Sequence, residues 1–320
     1  MTSGDNTKLL VLSGGVGGAK LVQGLADVLA PEQLTIIANT GDDFEHLGFY
    51  ISPDIDTILY TLSGRSNVKQ GWGHMNETWS FMQALKELGG ESWFQLGDKD
   101  LATHVIRRQL LAEGATLSEA TADISRRFGI KINIIPMSDC PIRTIIESAE
   151  REYTFQEYFV KHQCQPAVRK IKYHGLEQAK PSPGFTTALQ DKMLKAIIIT
   201  PSNPYLSIDP ILAIPAIKNT LQQNKIPVIA VSPIVAGRAL KGPTAKIMSE
   251  LGVEVSAVSI AKHYTGLVDH FVIDDEDAGL AEAIRELGIS VHSTNTVMLN
   301  MDDKRNLAAD VLDIVYNYCH

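Results

Sequence analysis

The sequence predicts an α/β fold with a doubly wound, mostly parallel (Rossmann-like) sheet and a helical and mixed α+β insertion. Two observations lead to this prediction. Short, continuous apolar runs of strand length recur between segments whose apolar residues follow helical spacing. Glycine, asparagine or aspartate follows several of these runs directly, and in a parallel sheet the carboxyl ends of the strands form the edge where ligands bind.

A buried strand over Leu9–Leu12 opens the predicted fold and leads into a glycine turn. The turn contains four glycines, Gly14, Gly15, Gly17 and Gly18. Glycine permits a tight turn and lets backbone N–H groups approach an anion. We predict a helix from Ala19 onward, with Lys20 adding a positive charge in its first turn. The turn is not a Walker A loop, and it indicates either a phosphate site or close packing that needs glycine.

Four aspartates follow the second predicted strand, Leu34–Ala38. They are Asp42 and Asp43, which come after Asn39, Thr40 and Gly41 at the end of the strand, and Asp54 and Asp56, at the start of the next helix. Carboxylates beside a phosphate site repel each other and the phosphate, and a divalent cation removes that conflict. Oxygen ligands alone point to Mg²⁺ or Mn²⁺. Helix-capping and turn roles are the alternative for one or two of the four.

The segment 65–128 is predicted to be largely helical. It begins within a polar loop over Ser63–Gly73, and the helices are predicted over residues 76–128. Trp72 and Trp79, in or near the loop, can stack on a flat ring, although Trp79 can also pack inward. Asp100 is predicted to cap a helix that carries candidate anion contacts. These are His104, Arg107 and Arg108, for which the alternative at the two arginines is a solvated face.

The strand–helix alternation is lost between residues 140 and 189, and this divides the chain. We predict that residues 1–139 and 190–320 form a nucleotide-binding α/β core. Residues 140–189 are predicted to form an α+β insertion, or cap, over the site. Within the insertion the pattern indicates strands over Arg143–Glu147 and Val168–Tyr173, with a helix over Phe155–His162 between them.

Two further loops follow strands of the second half. After the strand Ala196–Ile199, Asn203 can offer both a donor and an acceptor, which suits recognition of a base. Ser207 and Asp209 can instead be helix caps. A second anion site is predicted after the strand Pro227–Val231, with a surface basic loop as the alternative. Its residues are Gly237, Arg238, Lys241, Gly242 and Lys246.

Composition narrows the class of protein. The chain has 320 residues, 44% hydrophobic and 21% charged, with a net charge of −8. An acidic chain is poorly suited to non-specific binding of nucleic acid or anionic membranes. Three cysteines without C-x-x-C spacing indicate free thiols in a reducing compartment. Because neither a signal peptide nor a membrane span is recognisable, we expect a cytoplasmic protein.

Several motifs together resemble the 2-phospho-L-lactate transferase family of coenzyme F420 biosynthesis. They are GGVGGAKL (14–21), NTGDDFEHLG (39–48), ISPDIDTILYTL (51–62), PSNPYLSIDPIL (201–212) and KGPTAKIM (241–248). The resemblance covers nearly the whole chain. The gluconeogenesis-factor-like proteins, which bind a UDP-sugar, share a glycine loop and an Asp pair but lack the SNPYLSIDPIL segment.

The resemblance implies a Mg²⁺-dependent transferase of small molecules. A phospholactyl, phosphoenolpyruvyl or phosphoglyceryl group would pass from a guanosine-diphospho-acid to the ribityl hydroxyl of the deazaflavin Fo, releasing GMP. Lys20 and the glycine turn would hold the diphosphate, and Asp43 and Asp54, assisted by Asp42 or Asp56, would hold Mg²⁺. The nucleotide would contact Ser202, Asn203, Pro204 and Ser207, with Asn203 on guanine, and also Gly242 and Lys246.

A homodimer is expected, because C₂ symmetry is the commonest closed form. The main alternative function is a nucleotide-sugar-binding regulatory protein of the gluconeogenesis-factor-like group, without turnover. An NAD-dependent oxidoreductase fits less well, because the spacing of the glycines departs from the dinucleotide fingerprint.

Overall fold

A computed structural model describes residues 7–67, 70–223 and 226–319. Its strands are β1 (Lys8–Ser13), β2 (Leu34–Ala38), β3 (Phe44–His46), β4 (Phe49–Ile51), β5 (Asn133–Pro136), β6 (Arg143–Glu147), β7 (Glu152–Thr154), β8 (Lys170–His174), β9 (Leu194–Ile199), β10 (Val228–Val231), β11 (Ile234–Val235), β12 (Arg238–Ala239), β13 (His270–Asp274) and β14 (Ser290–Thr294).

Its helices are α1 (Gly15–Val28), α2 (Pro53–Leu62), α3 (Ser80–Glu87), α4 (Asp98–Ala112), α5 (Leu117–Arg127), α6 (Pro183–Leu189), α7 (Asp209–Leu212), α8 (Ile217–Gln223), α9 (Thr244–Glu250), α10 (Ala257–His263), α11 (Ala281–Arg285) and α12 (Met301–Tyr318). Short 3₁₀ segments cover Pro31–Gln33 and Asp275–Leu280, and π-helical turns cover Glu157–Lys161 and Pro204–Ile208.

The central sheet has seven strands in the order β14-β13-β10-β9-β1-β2-β5, and each neighbouring pair is parallel. The chain builds outward from β1 to β5 and then returns to β9, on the other side of β1. The strand order therefore reverses between β1 and β9, at the point where open α/β sheets bind ligands. This topology confirms the predicted doubly wound α/β class.

Both faces of the sheet are covered, which explains the unbroken apolar strands. On one face Leu9 and Val11 pack with residues of α1, α2 and α12. On the other face Leu10 and Leu12 pack with residues of α6, α7 and α10. In register, Leu12 lies beside both Ile37 and Ile199, so β1, β2 and β9 end at one level.

The segment 140–189 contains a separate antiparallel sheet, in the order β7-β6-β8. Its small core packs against residues of the main body, including Leu206 and Ile247. The N–H of Thr144, on β6, donates to the carbonyl of Gly41 at 2.7 Å. This small sheet is therefore attached directly to the loop that follows β2.

Two predicted helix starts are wrong. α1 begins at Gly15 rather than Ala19, so most of the glycine turn is the first turn of the helix. α4 begins at Asp98 rather than at a cap on Asp100, because the Glu77 carboxylate accepts the N–H groups of Lys99 and Asp100, each at 2.8 Å. The Asp98 carboxylate in turn accepts the N–H groups of Ser80 and Phe81 at the start of α3, so a residue of α4 caps α3 and Glu77, just before α3, caps α4.

A helix was predicted over residues 155–162. In the structure, Glu157–Lys161 form a π-helical turn within this segment. Within the described ranges, none of the helices combines the length and the apolar character that crossing a membrane requires.

We expect Gly24→Ala to lower the melting temperature. α1 and α12 cross at Gly24, where an added Cβ would overlap the Lys304 carbonyl oxygen. Helix propensity alone would make the alanine variant more stable by about 1 kcal/mol, whereas overpacking costs about 1–3 kcal/mol. A loss of stability would therefore show that the close crossing, and not helix propensity, decides the effect. Thermal unfolding measures it. Gly279→Ala, whose Cβ meets nothing within 4 Å, is the control; a melting temperature for Gly24→Ala at or above that of the wild type would contradict the close crossing.

Candidate active site at the carboxyl edge of the sheet

The glycines that follow β1 are required by packing. A Cβ at Gly14 would stand 2.5 Å from the Asp54 carboxylate, and one at Gly17 would stand 2.6 Å from the Pro201 carbonyl. A Cβ at Gly18 would stand 2.5 Å from the Ser202 hydroxyl. Gly15 has a left-handed φ of +66°, which favours glycine for a different reason. Close packing therefore accounts for three of the four glycines.

The first N–H groups of this turn already have partners inside the protein. The Gly15 N–H donates to Asp54 Oδ1 at 2.7 Å, and the Gly14 N–H donates to Ser202 Oγ at 3.3 Å. Asn39 Nδ2 donates to the second Asp54 oxygen at 2.9 Å. A helix N-terminus attracts negative charge, and here the Asp54 carboxylate supplies it. Asp54 thus fixes the glycine turn to the end of β2.

Asp42 and Asp43 lie beside Asp54 with little compensation for their charge. They are only 6% and 2% exposed. Ser52 donates to Asp43 Oδ2 at 2.8 Å, but the Oδ1 atom of each aspartate is buried without a protein partner. Burial raises the pKa of Asp43 to about 8. Burial and the charges of Asp54 and Asp43 raise the pKa of Asp42 well above its ordinary value.

Other polar atoms at the same edge are also buried without protein partners. They are Ser13 Oγ, Thr40 Oγ1 and Thr144 Oγ1. Buried polar groups are normally hydrogen-bonded, so a concentration of unpaired ones indicates a place for ligand or water.

Arg143 and Thr144 reach this edge from β6, and the sequence pattern predicted them only as part of a strand. The Arg143 charge opposes the effect of burial on Asp43 by lowering its pKa, although burial is the larger effect. Arg143 also donates to the Tyr50 hydroxyl at 3.4 Å. No local sequence pattern marks these two residues as functional, although Arg143 follows closely on the loop after β5, at the carboxyl end of a strand of the central sheet.

The donor set at this edge suits a hard divalent cation only in part. Among residues 7–67, 70–223 and 226–319, no three His, Cys, Asp or Glu side chains converge on a point that could hold a metal ion. Mg²⁺ is commonly held by one or two carboxylates, with substrate phosphates and waters completing its shell. The unpaired oxygens of Asp42 and Asp43 match that partial arrangement.

The structure engages Asp56, the fourth predicted ligand, elsewhere. Both its oxygens accept hydrogen bonds from Arg107, one at 3.1 Å and one still shorter. Arg107 is fully buried, with His104 Nδ1 at 3.2 Å from its guanidinium. A solvated face is therefore wrong for Arg107, although it holds for the exposed Arg108. Asp56 is therefore a poor candidate for a metal ligand, because Arg107 already neutralises its charge.

The loop after β9 closes the site from the other side of the glycine turn. Ser202 Oγ donates to the Gly14 carbonyl at 2.7 Å, and the Ser207 side chain also lies against Gly14. Asn203 Oδ1 accepts the N–H groups of Tyr205 and Leu206, at 3.0 and 3.1 Å, at the turn that begins with Pro204. Asn203 Nδ2 is buried without a partner and is the atom left for a ligand.

The predicted cations do not form one group. Lys20 Nζ donates to the Met298 carbonyl at 2.6 Å. Lys246 Nζ forms an ion pair with Glu250 at 2.5 Å and also donates to the Pro166 carbonyl in the insertion. Gly242 has a left-handed φ of +73°, as a turn requires. Lys246 is thus committed to the contact between α9 and the insertion, whereas Lys20 lies beside the glycine turn.

We expect Arg107→Met to destabilise the protein by about 3–5 kcal/mol, because it leaves the buried Asp56 carboxylate without a counter-charge. The double variant Asp56→Asn/Arg107→Met should recover a large part of that loss. Urea unfolding measures both. Arg108→Met, at the exposed neighbouring position, should change the unfolding free energy by less than about 0.5 kcal/mol. Equal losses in the single and double variants would refute a dominant Asp56–Arg107 pair.

We also expect the ligand-free protein to lose stability as pH rises from about 4 to 8. In this window the folded state keeps a proton on Asp43, whose pKa is raised from 3.8 to about 8, while the unfolded state has released it. Asp43→Asn should therefore stabilise the protein at pH 8, by about 1–3 kcal/mol, and have little effect below about pH 4. Melting curves across pH test this, with the exposed Asp27→Asn as control; a constant difference between Asp43→Asn and wild type would contradict it.

Comparison with known proteins gives consistent results for sequence and fold. The family described as "2-phospho-L-lactate transferase CofD" matches residues 9–315. A 2-phospho-L-lactate transferase from Methanosarcina mazei is 38% identical over 304 residues, covering 95% of this chain and 99% of that protein. A phosphoenolpyruvate transferase from Streptomyces griseus subsp. griseus is 36% identical over 313 residues, covering 96% and 98%.

A solved structure of a UPF0052 family member from Bacillus halodurans shares the fold. Its TM-score is 0.62 at 15% sequence identity, with 96% of this chain and 99% of that chain covered. Since the family match extends over nearly the whole chain and the relatives align along almost their entire length, the resemblance seen in the motifs is confirmed. The chain belongs to the 2-phospho-L-lactate transferase family.

Proposed function

We propose that this protein transfers a phospho-acid group from a guanosine-diphospho-acid to the ribityl hydroxyl of the deazaflavin Fo, in coenzyme F420 biosynthesis. The group is phospholactyl, phosphoenolpyruvyl or phosphoglyceryl. The observation that carries the proposal is the pair of buried carboxyl groups, Asp42 and Asp43, each with an unpaired Oδ1 atom, where the strand order reverses, in a chain of this family. The names of the relatives support transfer of phospholactate or phosphoenolpyruvate.

In the proposed reaction one P–O bond forms and one breaks. The Fo hydroxyl oxygen bonds to the phosphorus that carries the acid, and its proton is released to solvent. The bond from that phosphorus to the bridging oxygen breaks, and GMP leaves with the bridging oxygen. Such transfers depend mainly on positioning and on stabilising charge, so the protein needs to fix two substrates and compensate their oxygens.

Asp42 and Asp43 would hold Mg²⁺ through their unpaired Oδ1 atoms. When bound, the ion supplies positive charge for the carboxylates and for the phosphoryl oxygens. Asp54 acts differently, because its two oxygens fix the glycine turn to Asn39. We therefore assign Asp54 to positioning the turn, and Lys20 to holding phosphate oxygens beside it.

Asn203 would recognise the base. Because its Oδ1 already accepts two backbone N–H groups, only Nδ2 remains as a donor. Guanine presents acceptors at O6 and N7, and either can receive this N–H. Ser202 and Ser207 support the same loop against Gly14.

Arg143 would bind the carboxylate of the transferred acid. Its charge lowers the pKa of Asp43, and its guanidinium donates to the Tyr50 hydroxyl, at the wall that the insertion contributes. Guanidinium groups bind carboxylates through two parallel hydrogen bonds. This role agrees with a site in which phosphorus lies near Asp42 and Asp43 and the acid points toward β6.

Two exposed tryptophans would bind the deazaflavin ring. Trp72 and Trp79 are 44% and 37% exposed, with their rings 6.3 Å apart in an edge-to-face arrangement. Trp79 also borders a cleft of about 540 Å³ lined by residues of α3 and by Ser92 and Gln95. Large aromatic side chains exposed to solvent beside a cleft suit a flat, partly apolar ligand.

We expect calorimetric titration to show GDP binding that requires Mg²⁺, and separate binding of Fo. Asp43→Asn should abolish the Mg²⁺ requirement or the binding itself, because it removes a carboxylate ligand. The exposed Asp27→Asn should bind like the wild type. A chain that ignores GDP but binds UDP-N-acetylglucosamine would be a regulatory protein of the gluconeogenesis-factor-like group, and the transferase proposal would then fail.

We expect Arg143→Gln to raise the KM of the guanylylated acid by at least about tenfold, with a smaller effect on GDP affinity, because it removes a charged contact to the acid alone. A coupled assay with each of the three acids measures the KM. Arg151→Gln, at an exposed arginine in the turn between β6 and β7, should match the wild type. An equal loss of affinity for GDP and for the guanylylated acid would contradict a contact between Arg143 and the acid.

A further inference from the structure

The small antiparallel sheet of the insertion contacts the loop after β9 through one tyrosine. Tyr173 lies on β8, directly opposite Thr144 on β6, so both side chains are on the same face of this sheet. That face is turned toward the main body of the protein, since the Tyr173 ring packs against its apolar core. The Tyr173 hydroxyl donates to the Tyr205 carbonyl at 2.6 Å. We call this hydrogen bond the tyrosine bridge.

A proline explains why the Tyr205 carbonyl needs a donor from another segment. The π-helical turn over Pro204–Ile208 is closed by the Asp209 N–H, which donates to the Pro204 carbonyl. In the same five-residue pattern the Tyr205 carbonyl would accept the N–H of the next residue, but that residue is Pro210, which has none. The tyrosine bridge supplies the missing donor, and the donor comes from the insertion.

The main body holds the same turn at two further points. Asn39, at the end of β2, donates to the Leu206 carbonyl at 3.2 Å. The Tyr205 ring meets the His263 ring edge to face, with the ring centroids 5.0 Å apart, and His263 Nε2 lies 2.8 Å from Asp209 Oδ1. The turn is therefore held between β2 and α10 of the main body on the one hand and β8 of the insertion on the other.

The tyrosine bridge keeps its donor at neutral and moderately alkaline pH. Burial raises the pKa of Tyr173, and the charges of Asp209 and Asp42 raise it further. The phenol therefore stays protonated under these conditions, and the hydrogen bond to the Tyr205 carbonyl persists.

The turn that the bridge holds also orients the Asn203 side chain. Asn203 Oδ1 accepts the N–H groups of Tyr205 and Leu206, and its Nδ2 atom is buried without a protein partner. Tyr205 is thus bonded through its N–H to Asn203 and through its carbonyl to Tyr173. Loss of the bridge would release one end of this short chain of hydrogen bonds, so Nδ2 would be held less firmly in its direction.

We propose that Tyr173 is a positioning residue, through which the insertion holds the loop after β9 in the conformation that binds the nucleotide. This inference rests on the proposed function for the identity of the nucleotide. When the bridge is lost, the loop occupies its binding conformation for a smaller fraction of the time, and the apparent affinity for the nucleotide falls by that fraction.

The test is Tyr173→Phe, which removes the hydroxyl and keeps the ring. We expect calorimetric titration to show GDP binding weakened about three- to tenfold, because a hydrogen bond that orders the loop is lost. Tyr153→Phe is the matched control. It removes a phenol hydroxyl of the same small sheet that contacts Glu150 at 3.4 Å, and it should bind GDP like the wild type. Fo, which the proposed function places on Trp72 and Trp79, should bind equally to both variants and to the wild type.

Hydrogen exchange of the ligand-free protein separates the possible failures. The amides of residues 205–208 should exchange faster in Tyr173→Phe than in the wild type, and at the wild-type rate in Tyr153→Phe. Unchanged exchange in Tyr173→Phe would overturn the inference. Faster exchange with unchanged GDP binding would also overturn it, as would a parallel loss of Fo affinity, which indicates general damage to the fold. If the wild type itself does not bind GDP, the proposed function fails, and hydrogen exchange alone decides whether the insertion orders this loop.

Discussion

The site depends on the position of one buried carboxylate, that of Asp54. It joins the N-terminus of α1 to Asn39 at the end of β2, and so connects two strand ends to the first turn of α2. Asn39 also donates to the Leu206 carbonyl in the loop after β9. Three segments distant in sequence are thereby held around one charge, and the glycines let them approach closely. The helix N-terminus stabilises the carboxylate, and the carboxylate fixes the helix.

The fold and the main polar edge could be read from local sequence patterns. Continuous apolar strands, glycine turns and aspartates after strands are short-range signals, and parallel pairing brings their ends together. Local sequence patterns could not predict which residues those side chains contact. Asp54 and Asp56 are both aspartates of one helical turn, yet one contacts Gly15 and the other an arginine 51 residues away. Only packing of α2 against α4 distinguishes them.

Local sequence patterns also could not predict which of the lysines form ion pairs. Lys241 and Lys246 are equivalent in sequence, since both belong to KGPTAKIM. Glu250 is one helical turn beyond Lys246, which makes the ion pair locally recognisable in hindsight. The sequence also did not predict that the insertion contributes side chains to the candidate site. Its strand pattern indicated an antiparallel sheet, but no local feature placed Arg143 and Thr144 against Asp42 and Asp43, because that placement depends on how the small sheet docks.

The neighbourhood of β1 and β9 has a consequence for how the protein is made. Gly14 and Ser202 meet through a hydrogen bond although 188 residues separate them. While the chain emerges from the ribosome, the glycine turn therefore has no completed wall until about two-thirds of the polypeptide has been synthesised. Contacts of such long range form slowly, because the entropy of closing the intervening loop opposes them. We therefore expect the candidate site to form late in folding, and a chain terminated before β9 would have the glycine motif without the loop that packs against it.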